Sequence, residues 1–208
     1  VEKSLVYLQG PDGKAVQAEL WDDISAEHVA HWTDSWKPEI ERFRQRLEKD
    51  GVAREKWPQD LHWDWSEKAD ATRTVLAYQR FALVCEGRLQ GLMLVNLVTS
   101  TGRLAAQQGK PLVYIDFVST APWNRPDFCD KPRFVGVGSV LIRVAVELSR
   151  AEGFRGRIGL HSLSQAEKFY RKTCSMTDLG PDTGYYKLTY FEMTEAQATK
   201  FTSEPPKK

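Results

Sequence analysis

The chain has 208 residues, with 29 Lys and Arg against 28 Asp and Glu, for a formal net charge of +1. That length suits a single α/β (α+β) domain of ordinary core size. The even balance of charge argues against a broad footprint for duplex nucleic acid, so no nucleic-acid partner is expected. No apolar run approaches the ~20 residues needed to cross a bilayer, and no charged-then-apolar leader opens the sequence; a cytoplasmic protein with no membrane partner is the expectation. Cys85, Cys129 and Cys174 are widely spaced, without a CxxC pair or a His at zinc spacing, so reduced thiols and no metal site are expected.

In chain order, "SLVYLQ" and "KAVQAEL" flank the turn "GPDGK" and predict a hairpin. "KPEIERFRQRLEKDG" predicts a helix, with Pro38 near its start, Ile40, Phe43 and Leu47 on one stripe and Gly51 at its stop. "WPQDLHWDWSEKADA" is read as irregular. The apolar runs Phe81–Cys85 and Leu92–Val98 around "EGRLQG" predict a second hairpin, and "PLVYIDFVST" another strand. "GVGSVLIRVAVELSRAEG" predicts a helix burying Leu141, Val144, Ala145 and Leu148 and ending at Gly153. "RIGLHSL" reads as a strand, "SQAEKFYRKT" as a helix capped by Ser164 and "YYKLTYFEM" as a last strand, with 202–208 as a frayed tail. This order predicts a mixed, mostly antiparallel central sheet flanked by helices on both faces.

The stretch "DKPRFVGVGSVLIRVAVELSRAEGF" carries two glycines, Gly136 and Gly138, at the mouth of a periodic helix, with Arg133 three residues before the first. Glycine there implies a tight turn or a close approach to a ligand, and the unpaired amides of a first helical turn attract phosphate. A dinucleotide turn, GxGxxG, would need glycine where Leu141 stands, and no GxxxxGK[ST] string occurs. What remains is a loop whose backbone amides, running into a helix, hold a pyrophosphate.

The string Arg133-Phe134-Val135-Gly136-Val137-Gly138, R-x-x-G-x-G, resembles motif A of the GNAT superfamily of acyl-CoA-dependent N-acetyltransferases. "YIDFVSTAP" is similar to that family's splayed central strand, "QAEKFYRK" to its A-x-x-x-Y helix, and "CSMTDLG" stands where a "GF" turn is common. The resemblance covers Phe81 to Phe191, read as an acyl-CoA-binding core of a domain spanning 1–201. It implies a GNAT-like fold and acetyl-CoA (coenzyme A) as cofactor. The pyrophosphate would lie on Arg133, Phe134, Val135, Gly136, Val137, Gly138 and Ser139, and the pantetheine arm along Phe117, Val118, Ser119 and Thr120. Leu163 replaces an asparagine that contacts pantetheine in many relatives, which puts Ser164 and Gln165 forward as substitutes, and the link from Pro122 to Arg133 is longer than the family's. Tyr170, four residues after Ala166, takes the place of the tyrosine that protonates the coenzyme A thiolate.

Two residues suit the base that an attacking amine needs. Asp116 interrupts the apolar run "LVYIDFV" on the face of Tyr114 and Val118, where desolvation raises a carboxyl pKa; an ion pair with a neighbouring Arg or Lys is the plainer reading. His161 ends "RIGLH" with an unperturbed pKa near neutrality, against the alternative of a hydrogen-bonded strand end. Phe169 and Tyr170 also read as core aromatics. Six of the seven tryptophans fall between Trp21 and Trp65, among His28, His31, His62, Asp60, Asp64 and Glu67, so 21–75 is the expected acceptor side. An aromatic, acidic lining suits an amine, carried by a small molecule or a protein. Against transfer by direct attack of that amine stand an acyl-CoA-binding regulatory module without turnover, for which Leu163 speaks, and a nucleotide-binding protein. A covalent route through Cys129 or Cys174 ranks lower, since neither has an activating base beside it in sequence. "YFEMTEAQA" offers an edge for pairing in a homodimer.

Overall fold

A computed structural model describes residues 2–204, with eight strands in one mixed sheet, mostly antiparallel, and five α-helices among them. The sheet order is β1-β2-β3-β4-β5-β6-β8-β7, and β5 and β6 run parallel. No helix among the described residues is long and apolar enough to cross a membrane. Packing resolves two compact units. The first contains the chain up to Val75, Arg80–Leu92 and Ser119–Val137; the second contains Leu76–Gln79, Met93–Val118 and the chain from Gly138 on.

The first unit begins with the expected hairpin, β1 (Lys3–Gln9) on β2 (Ala15–Trp21), in register from Lys3↔Trp21 to Gln9↔Ala15. Helix α1 (Ala26–His31) was not expected. Ser25 caps it in a box with His28, and a π turn, Trp32–Trp36, carries it directly into α2 (Lys37–Lys49), burying Trp32 and Trp36. Helix α2 is the predicted one, buries Phe43 and stops at Gly51, whose φ is +66°. The stretch read as irregular holds α3 (Trp65–Thr72), where Asp64 accepts from the amides of Ser66 and Glu67. Aromatic and charged residues hid its period, but Trp65 and Ala69 sit four apart and both are buried. Strands β3 (Tyr78–Cys85) and β4 (Arg88–Asn96) meet at Glu86–Gly87, with φ of 51° and 67°. Left-handed backbone at both positions makes a two-residue hairpin loop, so Arg88–Gly91, expected in the loop, belongs to the strand.

The second unit is built on β5 (Val113–Thr120) and α4 (Val137–Ala151), which between them bury Val113, Ile115, Leu141, Ile142, Ala145 and Val146. The buried stripe of α4 is rotated from the expected one: Val144 and Leu148 are half-buried, while fully buried Ser149 donates to Arg157 O at 2.7 Å. The β5–β6 ladder covers Val113–Ile115 against Ile158–Leu160, and β5 runs on to Thr120 beyond it; β6 spans Ile158–Ser162.

The helix expected from Ser164 to Thr173 is present and continuous, but it opens as a 3₁₀ turn, Ser164–Ala166, and closes as a π turn, Phe169–Thr173, with Leu163 in place of Ser164 in the capping position and no side-chain cap. A short strand, β7 (Thr177–Pro181), was missed because its register on β8 (Thr189–Met193) shifts between Asp178 and Pro181. Strand β8 lies inside the sheet, paired with β6 and β7, so it has no edge to offer a second copy, and the chain after it turns into α5 (Glu195–Ser203), capped by Thr194. Of the predicted tail, Thr202 and Ser203 belong to this helix, and residues 205–208 lie outside the described ones.

Candidate functional site

In the first unit the chain before Gly136 is fixed residue by residue. Arg133 N–H donates to Trp123 O at 3.0 Å, Phe134 N–H to Asn124 Oδ1 at 2.8 Å, and Val135 exchanges two bonds with Gln9. The amides of Arg133, Phe134 and Val135 are thereby committed within the protein. Buried Phe134 and Val137 fill the core with their side chains. The Arg133 guanidinium pairs with Glu86 at 2.5 Å on the surface. Gly136 has φ +92°, and no atom stands within 4 Å of where its Cβ would be. Left-handed geometry demands glycine here, and the space suits a bulky ligand group. Helix α4 starts at Val137 with no acidic residue in its first turn, and its leading amides lack partners four residues back. These features fit an anionic pyrophosphate at Gly136 and the α4 start.

Gly138 has a different cause. A Cβ there would meet Phe169 Cζ at 3.2 Å, so this glycine makes room for the π turn in the second unit. Buried Ser139 also belongs to that unit, while Ser164 and Gln165 are exposed. Of the β5 candidates, Phe117 and Val118 are half-buried in the second unit; Ser119 and Thr120 are half-buried in the first, where Ser119 Oγ accepts from Trp65 Nε1 at 3.2 Å.

The long link was flagged by sequence, but not its anchor. Trp123 Nε1 and Asn124 Nδ2 both donate to Oε1 of fully buried Gln90, at 2.9 and 2.8 Å. Arg125 forms a two-bond pair with Asp60, at 2.6 and 3.0 Å, and Phe128 stacks on Phe43 at 4.1 Å. Most tryptophans of the first unit are likewise engaged. Trp36 Nε1 donates to Leu89 O, and Trp57 Nε1 to Val52 O. Lys3, Lys37, Arg54 and Lys68 lie over the rings of Trp21, Trp32, Trp57 and Trp63. His31 Nδ1 accepts from Leu89 N, and His28 closes the cap of α1; burial lowers the pKa of both.

In the second unit the two base candidates come together. Asp116 accepts a hydrogen bond from Tyr78, whose hydroxyl pKa is raised by burial first and then by that carboxylate. His161 is a linked group: Nδ1 faces the Tyr114 hydroxyl at 2.6 Å, Nε2 faces Asp182 at 2.9 Å, and Tyr185 stacks on the ring at 4.0 Å. Arg103 reaches the same Asp182 oxygen at 2.6 Å and lies 4.0 Å over the Tyr190 ring. Arg103, then His161, hold the Asp182 carboxyl far below the usual carboxylate range. An ionised Asp182 fixes the tautomer, with Nε2–H donating to Asp182 and Nδ1 accepting from Tyr114. Burial lowers the His161 pKa, partly offset by Asp182, and raises the Tyr114 hydroxyl. Fully buried Glu192 seats the Arg103 loop, accepting from the amides of Arg103 and Leu104 and from Gln107 Nε2. Tyr78, Arg103 and Asp182 carry no sequence signal, since only the folded chain brings Arg103 and Asp182 together across 79 positions.

Tyr170 is buried on the other face of the sheet. Its ring packs on Phe191 at 5.8 Å, whereas His161 packs on Tyr190, and neighbouring side chains of β8 point to opposite faces. Cys174 is fully buried, and burial raises its thiol pKa, which disfavours the thiolate that a nucleophile needs.

No protein-family model and no curated protein matches the sequence. Solved structures do. A protein of Desulfovibrio desulfuricans assigned to the GNAT acetyltransferase family superposes with a TM-score of 0.54 at 10% identity, over 86% of this chain and 99% of that one. The PaiA N-acetyltransferase of Thermoplasma acidophilum, in complex with coenzyme A, gives 0.52 at 11% identity, over 85% and 98%. Mycobacterium smegmatis RimJ, in complex with CoA-disulfide, gives 0.50 at 13%, over 97% and 94%. The fold is that of the GNAT acetyltransferases.

Proposed function

We propose that the chain is an acetyl-CoA-dependent N-acetyltransferase that acts by direct attack of an amine in a ternary complex. The observation that carries this reading is the R-x-x-G-x-G turn within a GNAT fold, with Gly136 left-handed and open space where its Cβ would be, at the start of α4. Bound acetyl-CoA supplies an activated thioester. The chain supplies position and proton management, of which position is the larger part, worth ~7–11 kcal/mol for well-oriented partners. Gly136 and the first amides of α4 take the pyrophosphate, and the backbone of Phe117–Thr120 takes the pantetheine amides.

For proton removal from the amine, the geometry favours Asp116 over His161. Both His161 ring nitrogens are engaged and its side chain is only 4% exposed, so it takes a proton only through Tyr114, whereas Asp116 is half-buried. Tyr170, on the opposite face, is assigned the proton that the departing sulfur needs. A group seated past the end of the β5–β6 ladder, beyond Ile115 and Leu160, is open to side chains of either face, which reconciles a base on one face with an acid on the other.

Calorimetric titration with acetyl-CoA, coenzyme A, NAD and ATP tests the reading. Micromolar binding confined to the coenzyme A species, followed by acetylation in an amine screen, is the expected result. Preference for NAD or ATP overturns it, and coenzyme A binding with no turnover on any amine gives the chain the role of an acyl-CoA-binding module.

A further inference from the structure

Gln90 is fully buried, and its side-chain amide is saturated. Oε1 accepts from Trp123 Nε1 and Asn124 Nδ2, while Nε2 donates to Cys85 O at 3.3 Å and Arg88 O at 3.1 Å. The orientation is fixed by its neighbours, because the flipped amide would set N–H against N–H and oxygen against oxygen at all four contacts. Its main-chain oxygen also accepts from Ala121 N–H at 2.9 Å, where the long link begins.

Each residue that Gln90 holds then holds one residue of the glycine turn, Trp123 through its main chain and Asn124 through its side chain. Trp123 O accepts from Arg133 N–H, and Asn124 Oδ1 accepts from Phe134 N–H. The second step depends on the first: with Nδ2 bound to Gln90, the Asn124 amide has its oxygen turned toward Phe134. The middle of the link is secured separately, by the Arg125–Asp60 pair and the Phe128–Phe43 stack. The middle of the link is therefore held without Gln90, whose own partners, Trp123 and Asn124, lie at the start of the link and bond to Arg133 and Phe134 at its end.

We infer that Gln90 is the positioning residue of the pyrophosphate turn, acting through Trp123 and Asn124 to set the backbone of Arg133 and Phe134 from which Gly136 departs. This rests on the acetyltransferase reading only in taking the turn as the pyrophosphate site. The link leaves Gln90 at Trp123 and Asn124 and comes back to those two residues at Arg133 and Phe134, so its extra length is the loop between the two anchor points. Substituting Gln90 leaves the ligand-contacting groups intact but lets them leave the binding geometry, so the loss falls on affinity for coenzyme A.

The test compares the parent chain with Gln90→Met, which keeps volume and removes the hydrogen bonds, and with Asn124→Ala, which cuts only the Phe134 branch from a partly exposed site. Coenzyme A affinity is measured by calorimetry, stability by urea unfolding, and the Phe134 and Gly136 amides by hydrogen exchange and by their NMR shifts on adding coenzyme A. Both variants are expected to bind coenzyme A about tenfold more weakly, the equivalent of one lost hydrogen bond in a preset site. Faster exchange at Phe134 and an altered Gly136 shift are expected to accompany this. Unchanged affinity in a folded variant overturns the inference and leaves the acetyltransferase reading standing. Weakened binding with Phe134 exchange and the Gly136 shift as in the parent also overturns it, since the turn would then not be what moved. Failure of the parent to bind coenzyme A defeats the acetyltransferase reading itself. Should Gln90→Met fail to fold, Asn124→Ala carries the comparison.

Discussion

Around Gln90, in the first unit, the partners are neutral: an indole, a carboxamide and main-chain carbonyls. Around Asp182, in the second, they are an arginine, a histidine and a main-chain amide, with three tyrosines packed against the histidine. Both networks tie a loop to the sheet. The neutral one holds backbone in a geometry that does not change with pH, as a site for a permanently charged ligand requires. The charged one fixes a tautomer and shifts proton affinities. The groups around Gln90 thus position, and those around Asp182 titrate.

The largest expected effect concerns a charged pair in the first unit. Arg125 and Asp60 have side chains 13% and 10% exposed, so Asp60→Ala strands a guanidinium. The loss expected by urea unfolding is about 3 kcal/mol, at the low end for a broken buried pair because Asp127 stands 3.5 Å from Arg125. A loss under ~1 kcal/mol would show that Asp127 takes over, and that this link tolerates rewiring.

A smaller effect is expected from the charged side. The folded state lowers the His161 pKa, whereas the unfolded chain keeps its proton up to about pH 6.5. The unfolded state therefore binds more protons just below that pH, and stability falls as pH drops through it. Asp182 works in a lower window: its folded pKa is depressed, so its contribution persists above the ordinary aspartate value near 4 and fades only below it. Melting temperatures between pH 7 and pH 5 should drop less steeply in His161→Gln than in the parent, with His28 and His31 supplying the remaining slope. An unchanged slope would mean that Asp182, Asp116, Tyr114, Tyr185, Tyr190 and Arg103 together leave His161 without net linkage.

The smallest effect lies at the surface. Arg133 and Glu86 are 41% and 49% exposed, so Glu86→Gln should change stability by no more than ~0.5 kcal/mol. Freed from its carboxylate, Arg133 should bind coenzyme A up to a few-fold more tightly, an advantage that salt erases. A gain that survives high salt would place Arg133 in a less screened position than its exposure suggests.

What the sequence disclosed follows from how local each signal is. Gly136, Asp116 and His161 stood out because each breaks the pattern of its own segment: a glycine at a helix mouth, a carboxylate in an apolar strand, an imidazole at a strand end. The hairpins, α2, α4 and the central strands were readable by period for the same reason. Arg103, Asp182, Tyr78 and Gln90 are ordinary in their own segments and acquire roles only through partners far along the chain. Helices α1 and α3 were hidden because capping by Ser25 and Asp64, with tryptophans as the buried anchors, replaces an aliphatic stripe. Gly138 was legible as a glycine but not in its cause, which is the ring of Phe169.

Gly159 extends this to what the chain can tolerate. Strand β6 pairs it with Glu192, and a Cβ there would lie 2.5 Å from Tyr190 Oη and 3.3 Å from Leu112. Tyr190 in turn carries the Arg103 guanidinium on its ring. Even a single methyl group at 159 would displace the phenol, and with it the cation that holds the Asp182 carboxyl below its ordinary range. A drift in sequence that leaves the strand intact can therefore disturb the Arg103–Asp182–His161 network from a position that bears no functional group at all.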